Sequence, residues 1–319
     1  MKRIQYDRYG GPELLYVAEV EPPRPGRGQV LVRVRAASLN PMDGKIRRGE
    51  MKMLSGRRFP RGLGHEFAGI VEAVGAGVSG VAAGDAVLGV TAIPKAAAIA
   101  ELVVADARHV TAKPSNVTFP QAAAMTIIGL TAWNALVENG RLKGGKTIFI
   151  AGCMGGVGRS AVQLARMLGA TVVGSCSASD RSEALDLGVS EVVDYRSFDP
   201  VAFRRRFDLV FDTFGSLGLR TCASMLTERG RSAHIVPTAA KFVGCALSRR
   251  HHLVFGNPSP SSFAGITEAA AREVLVPLIG REVLLAHAVP AIAAQEKAGA
   301  LRGKLVIDID SDADADAIG

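Results

Sequence analysis

Gly152, Gly155, Gly156 and Gly158 close the apolar run Thr147-Ile148-Phe149-Ile150-Ala151 and open a helix-forming segment that continues to Gly169. That spacing suits a diphosphate. Gly152 permits a tight turn, Gly155 and Gly156 let the backbone approach pyrophosphate oxygens, and Gly158 lets the helix pack on the strand. The helix then offers unpaired N–H groups, including that of Val157, and its positive dipole end to the anion. The turn therefore points to a dinucleotide ligand.

The elements around this turn fall into three textures. The first third alternates in strand fashion, as in Gln29–Arg35 and Phe67–Val74, with Gly and Pro between, and reads as a β-rich domain. From about Phe119 a helix leads into buried strands separated by helices, at 147–150, 170–175, 191–193, 209–212 and 231–236, the pattern of a parallel, doubly wound sheet. After about Phe255 the texture is mixed and ends in a strand at 303–309, which can pair with the first domain. The fold class is therefore α/β, with domains expected at 119–255 (dinucleotide-binding) and at 1–118 plus 256–319 (discontinuous, β-rich).

Composition narrows the function classes. With 319 residues, 48% hydrophobic and 21% charged, two domains can each bury a core. The longest apolar stretch, Ala122–Val137, is interrupted by Thr126, Thr131 and Asn134 and falls short of the ~20 residues of a membrane helix. The basic N-terminus has no apolar segment behind it, so it is not read as a secretory signal, and a cytoplasmic protein is expected. A net charge of +8 suits anionic partners, but only 5% of residues are aromatic and no aromatic-studded basic groove appears, so nucleic acid is not expected. Cys153, Cys176, Cys222 and Cys245 are too widely spaced for a zinc knuckle or redox pair and read as reduced thiols. The tail Ser311–Asp316 is acidic, low in complexity, and expected to be an unpacked end.

The segments Gly64-His65-Glu66-Phe67-Ala68-Gly69, Gly84-Asp85-Ala86-Val87, Gly129-Leu130-Thr131-Ala132-Trp133, the glycine turn and Gly303-Lys304 together resemble the medium-chain dehydrogenase/reductases, over nearly the whole chain. Within that superfamily, the glycine turn and Asn40-Pro41-Met42-Asp43 resemble the zinc-independent quinone oxidoreductase (zeta-crystallin-like) branch. The resemblance implies a GroES-like β domain joined to a Rossmann domain, an active site in the cleft between them, and a homodimer. Zinc-dependent relatives place ligands where this chain has Met42, His65 and, approximately, Ile127. One histidine cannot hold a catalytic zinc, so no metal is expected, and His65 and Glu66 read as a partly buried hydrogen-bonding pair.

NADPH is the expected cofactor. The strand at 170–175 leads past Ser175 to Cys176, Ser177, Ala178 and Ser179, with none of the acidic residues that mark NAD-specific domains. Ser177 and Arg181 can bond a 2′-phosphate, although Asp180 stands where relatives often have a basic residue. By resemblance, Tyr195 also reaches that phosphate, and Phe214, Phe255 and Gly256 line the cofactor.

For the reacting centre, the resemblance places Asn40 and Asp43 near nicotinamide and substrate. Asn40 can bond a substrate carbonyl and Asp43 can orient its neighbours. Equally, Asn40-Pro41 can initiate a turn and Asp43 can cap a short helix through Lys45 to Arg48. Lys45 replaces a tyrosine common in relatives and is either a cation near the acceptor or a solvated side chain. Thr131 matches a residue beside the nicotinamide ring. The expected activity is NADPH-dependent, metal-free hydride transfer to a small-molecule quinone or α,β-unsaturated carbonyl. The alternatives are an enoyl reductase of a fatty-acid-like or secondary-metabolite pathway, and an NADPH-binding protein with a structural or sensing role.

Overall fold

The computed structural model describes residues 1–299 and 302–309, so the acidic tail lies outside the described residues. The chain divides into two units. The first comprises Met1–Thr126, Pro258–Pro260 and the described residues from Pro277 on, and the second comprises Ile127–Asn257 and Ser261–Val276.

Strands β1 (Lys2–Tyr6), β2 (Tyr16–Glu19), β3 (Gln29–Ser38), β4 (Arg61–Gly62), β5 (Glu66–Val74), β6 (Ala86–Val90), β7 (Leu102–Asp106) and β8 (Val110–Ala112) open the first unit. In β3, inward valines alternate with exposed or half-exposed arginines, as a strand with one buried face requires. The second unit holds β9 (Thr147–Ala151), β10 (Thr171–Cys176), β11 (Glu191–Asp194), β12 (Phe207–Asp212), β13 (Leu226–His234) and β14 (His251–Leu253). Strands β15 (Ile279–Leu284) and β16 (Lys304–Asp308) return to the first unit, where β16 pairs antiparallel with β3. The seven-stranded sheet there runs β15-β16-β3-β5-β6-β8, with β7 also on β3, beside a three-stranded sheet β2-β1-β4.

The six-stranded sheet of the second unit is parallel throughout and ordered β11-β10-β9-β12-β13-β14. This is the doubly wound order whose reversal, between β9 and β12, marks the ligand-binding edge at the strand C-termini. Its strands read as continuous apolar runs because both faces are covered. Phe149, Phe203, Phe207 and the half-buried Phe198 fill one side, with ring centroids 5.2–5.9 Å apart.

The unit boundaries differ from the expected ones. The division falls inside the helix Phe119–Trp133, and Ser261–Val276 belongs with the dinucleotide unit. The reason is packing. A Cβ on Gly265 would collide with the Trp133 ring, Trp133 Nε1 donates to Ser261 Oγ at 3.3 Å, and a Cβ on Gly129 would lie 3.2 Å from Ile266 and Leu275. The strand expected by resemblance at Phe255 and Gly256 ends earlier, as β14 at Leu253.

Candidate functional site

The glycine turn sits at the C-terminal end of β9. Gly152 has φ +75°, in the left-handed region. Its N–H and that of Cys153 donate to the Ser175 carbonyl at 3.1 and 3.0 Å. Thr213 Oγ1 donates to the carbonyls of Ala151 and Gly152 at 2.6 and 3.1 Å, so strands β10 and β12 clamp the turn from both sides. A Cβ on Gly158 would collide with the Gly152 carbonyl oxygen, while Gly155 and Gly156 are exposed and open. The helix Gly156–Met167 starts from Gly155 without a side-chain cap, so the amides of Gly156, Val157 and Gly158 are offered to a ligand. Ser175 is buried and braces the turn, whereas Phe214 beside it is exposed.

The ends of β10 and β11 lie side by side, with Cys176 opposite Asp194 and the Tyr195 N–H donating to the Cys176 carbonyl at 3.1 Å. Ser177 and Tyr195, remote in sequence, thus reach one edge. The Arg196 guanidinium stacks 4.7 Å over the exposed Tyr195 ring. Arg181 is less available than its position suggested, because its Nη1 donates to the Val192 carbonyl at 2.8 Å. The Ser177 hydroxyl donates to Asp180 Oδ2 at 2.5 Å and lies 2.7 Å from Ser179 Oγ.

Elsewhere in this unit, Thr131 is buried and donates its hydroxyl to the Ile127 carbonyl at 2.7 Å. A Cβ on Gly256 would stand 2.7 Å from Thr131 Oγ1, so these two expected cofactor neighbours do meet. Asn134, which was not singled out, holds the Phe255–Asn257 segment by donating to the carbonyls of Phe255 and Asn257 at 2.9 and 2.8 Å.

At the end of β12, Asp212 accepts from Lys241 Nζ at 2.7 Å and from the N–H groups of Gly215 and Leu217 at 2.8 and 3.2 Å. Burial alone would raise the Asp212 pKa. The His234 and Lys241 contacts outweigh it and hold the carboxyl at about 2. This anchor also escaped the sequence reading, since nothing local links a lysine in a surface helix to β12.

In the first unit, Asn40 precedes the helix Pro41–Arg47. Asp43 does cap this helix, as the third residue of a capping box with Asn40. It sits in the first turn, and its Oδ2 accepts the Asn40 N–H at 2.7 Å. The Asn40 side chain is positioned from both sides: Nδ2 donates to Glu66 Oε1 and Oδ1 accepts from Lys304 Nζ, each at 2.7 Å. Glu66 also takes Lys304 Nζ and Ser38 Oγ at 2.5 Å. His65 and Glu66 are not the partly buried pair expected. Both are buried, with different partners, and His65 Nδ1 lies 2.6 Å from Asp43 Oδ1. Lys45 is exposed.

Among the described residues, no group of three or more His, Cys, Asp or Glu is placed to hold a metal ion. Among the same residues, no helix is long and apolar enough to cross a membrane.

Comparison with known proteins places this geometry. Family models for the alcohol dehydrogenase GroES-like domain and for zinc-binding dehydrogenase match residues 26–115 and 156–246. The quinone oxidoreductase of Pseudomonas aeruginosa is 34% identical over 278 residues, covering 84% of both chains. The solved quinone oxidoreductase of Coxiella burnetii superposes with a TM-score of 0.85 at 31% identity, over 97% of this chain and 99% of the other. The Escherichia coli quinone oxidoreductase solved with NADPH superposes with a TM-score of 0.79 at 25% identity, over 97% and 100%. The chain belongs to the quinone oxidoreductase branch of the medium-chain dehydrogenase/reductase superfamily.

Proposed function

We propose that this chain is an NADPH-dependent reductase that works without a metal and passes hydride to a quinone or an α,β-unsaturated carbonyl. The observation that carries the reading is the glycine turn, with its uncapped helix start and its open Gly155 and Gly156. A diphosphate fits there because backbone amides point outward and no side chain fills the approach.

When bound, NADPH supplies hydride from nicotinamide C4. The chain's own residues do the rest. The amides of Gly156, Val157 and Gly158 hold the diphosphate, and Tyr195 with Arg196 receives the ribose 2′-phosphate beside Ser177, whose hydroxyl is engaged by Asp180. Thr131 and the segment Phe255-Gly256 pack on the nicotinamide. Asn40, with its amide oriented by Glu66 and Lys304, uses its second Nδ2 hydrogen to hold the acceptor's carbonyl oxygen.

His65 is held by a carboxylate, and Met42 and Ile127 offer no ligand comparable to a thiolate or imidazole, so carbonyl polarisation falls to hydrogen-bond donors. Acceptors that are electron-poor from the start suit that arrangement. Following NADPH oxidation spectrophotometrically with a panel of quinones and enones tests the proposal. Turnover with at least one class is expected, and no turnover with any would sink it.

A further inference from the structure

We propose that the cleft between β14 and the helix Ala239–Ala246 binds a small phenol, whose hydroxyl donates to Nε2 of His251. Every group involved belongs to the dinucleotide unit. Binding there is independent of hydride transfer, so the reductase reading and this site stand or fall separately.

A polar chain leads from the buried Asp212 out to this cleft. His234 Nε2 lies 2.8 Å from Ser232 Oγ, and Ser232 Oγ lies 2.7 Å from His251 Nδ1. At the inner end, His234 Nδ1 faces Asp212 Oδ2 at 3.5 Å. That is too long for a good hydrogen bond but close enough for the carboxylate to favour a hydrogen on this nitrogen. Asp212, Ser232 and His234 are all 0% exposed. A hydroxyl has one hydrogen, so one ring must accept from Ser232 and the other must donate to it. Asp212 decides which. With the hydrogen of His234 on Nδ1, its Nε2 accepts from Ser232, and Ser232 in turn accepts from Nδ1 of His251. His251 is thereby held in the tautomer whose lone pair is on Nε2.

That lone pair is available. Among the described residues no group bonds His251 Nε2, and, unlike Nε2 of His252, it is not sealed from solvent. Burial, followed by His234, Arg250 and His252, holds the His251 imidazole below its ordinary range. The ring is therefore neutral at about pH 7.5.

The half-buried His251 lines a cleft of about 330 Å³ together with Phe242, Ala246, Leu253 and Phe255. Phe242 and Phe255 are 63% and 48% exposed, so a flat apolar body laid on them takes their rings out of water. The volume is at the small end for ligand sites and suits a single ring. An aliphatic alcohol gains little beside aromatic side chains, and a carboxylic acid arrives ionised with no hydrogen to give. A phenol combines the flat body with an acidic hydroxyl that keeps its hydrogen at neutral pH. The nearby Arg250 guanidinium strengthens the bond by favouring negative charge on the phenol oxygen.

The test titrates the full chain, carrying nitrogen-15 in its histidines, with phenol and with anisole, which has the same ring and no donor. Phenol is expected to move the His251 Nε2 resonance and to bind at least about tenfold more tightly than anisole. The ratio should be larger for 4-chlorophenol over 4-chloroanisole, because that hydroxyl is the more acidic. His251→Phe keeps the cleft apolar and removes the acceptor, so the ratio should fall to within about twofold while the NADPH Kd stays within about twofold. Equal affinity for phenol and anisole, or a His251 resonance that phenol leaves unmoved, as when a second copy covers the cleft, would overturn the proposal. An unchanged ratio in His251→Phe would do the same. If that variant does not fold, the wild-type ratio and resonance decide. If the chain reduces no acceptor, the reductase reading fails and these readouts are unaffected.

Discussion

Gly158 leaves no room for a Cβ against the carbonyl oxygen of Gly152, and such an atom would also stand 2.8 Å from the Cys153 backbone. For Gly155, three positions earlier, such an atom meets nothing nearer than 3.6 Å. The two glycines therefore serve different purposes. Gly158→Ala should destabilise the fold by about 1–3 kcal/mol through overpacking, read by denaturant unfolding. Gly155→Ala should leave stability within about 0.5 kcal/mol and weaken NADPH at least about tenfold, because its methyl group stands where the diphosphate comes close.

Asp212 and Lys241 make a second test. The Asp212 carboxyl titrates at about 2 in the folded chain against 3.8 ordinarily, so its stabilising contribution is present above about pH 4 and is lost as pH falls through 2. Lys241→Met removes a buried cation and should cost about 3 kcal/mol at neutral pH. Acid unfolding followed by circular dichroism should move to higher pH in the variant. The two proteins should converge near the acid end, where the carboxyl is protonated in both.

The proposed 2′-phosphate site separates Arg196 from Arg181. Arg196 stacks on exposed Tyr195, whereas Arg181 is engaged by the Val192 carbonyl. Arg196→Ala should raise the NADPH Kd by about tenfold and leave that of NADH unchanged, as loss of one charge-assisted contact requires. Arg181→Ala should change either constant by less than about threefold. Calorimetric titration of the two cofactors measures both.

Burial pushes the Cys153 thiol far above its ordinary range and the Cys222 thiol up to about 12, and it also raises Cys176 and the less buried Cys245. Cys245 should therefore react first with a thiol reagent at about pH 8. Cys153, Cys176 and Cys222 should wait for unfolding. Mass spectrometry of the labelled peptides gives the order.

Much of the dinucleotide unit was legible because its signals are local. The apolar strands β9, β10 and β12 and the glycines after β9 sit where alternation and turn chemistry put them. The polar anchors were not legible for the opposite reason. Lys304 meets Glu66 across 238 positions, Lys241 meets Asp212 across 29, and Asn134 meets Phe255 across 121. A side chain's partner at such separations is set by strand order and packing, so the capping role of Asp43 Oδ2 was legible while the contact of its Oδ1 with His65 was not. Arg181 likewise read as a phosphate ligand until β11 brought the Val192 carbonyl within reach.

The central claim is hydride transfer from NADPH without a metal. Its most direct test is to follow deuterium from NADPH labelled at the transferable C4 position into an enone acceptor, using protein stripped with a chelator. The account predicts deuterium on the enone β-carbon at a rate the chelator leaves unchanged. Absence of deuterium in the product, or a rate lost to the chelator and restored by zinc, would contradict it.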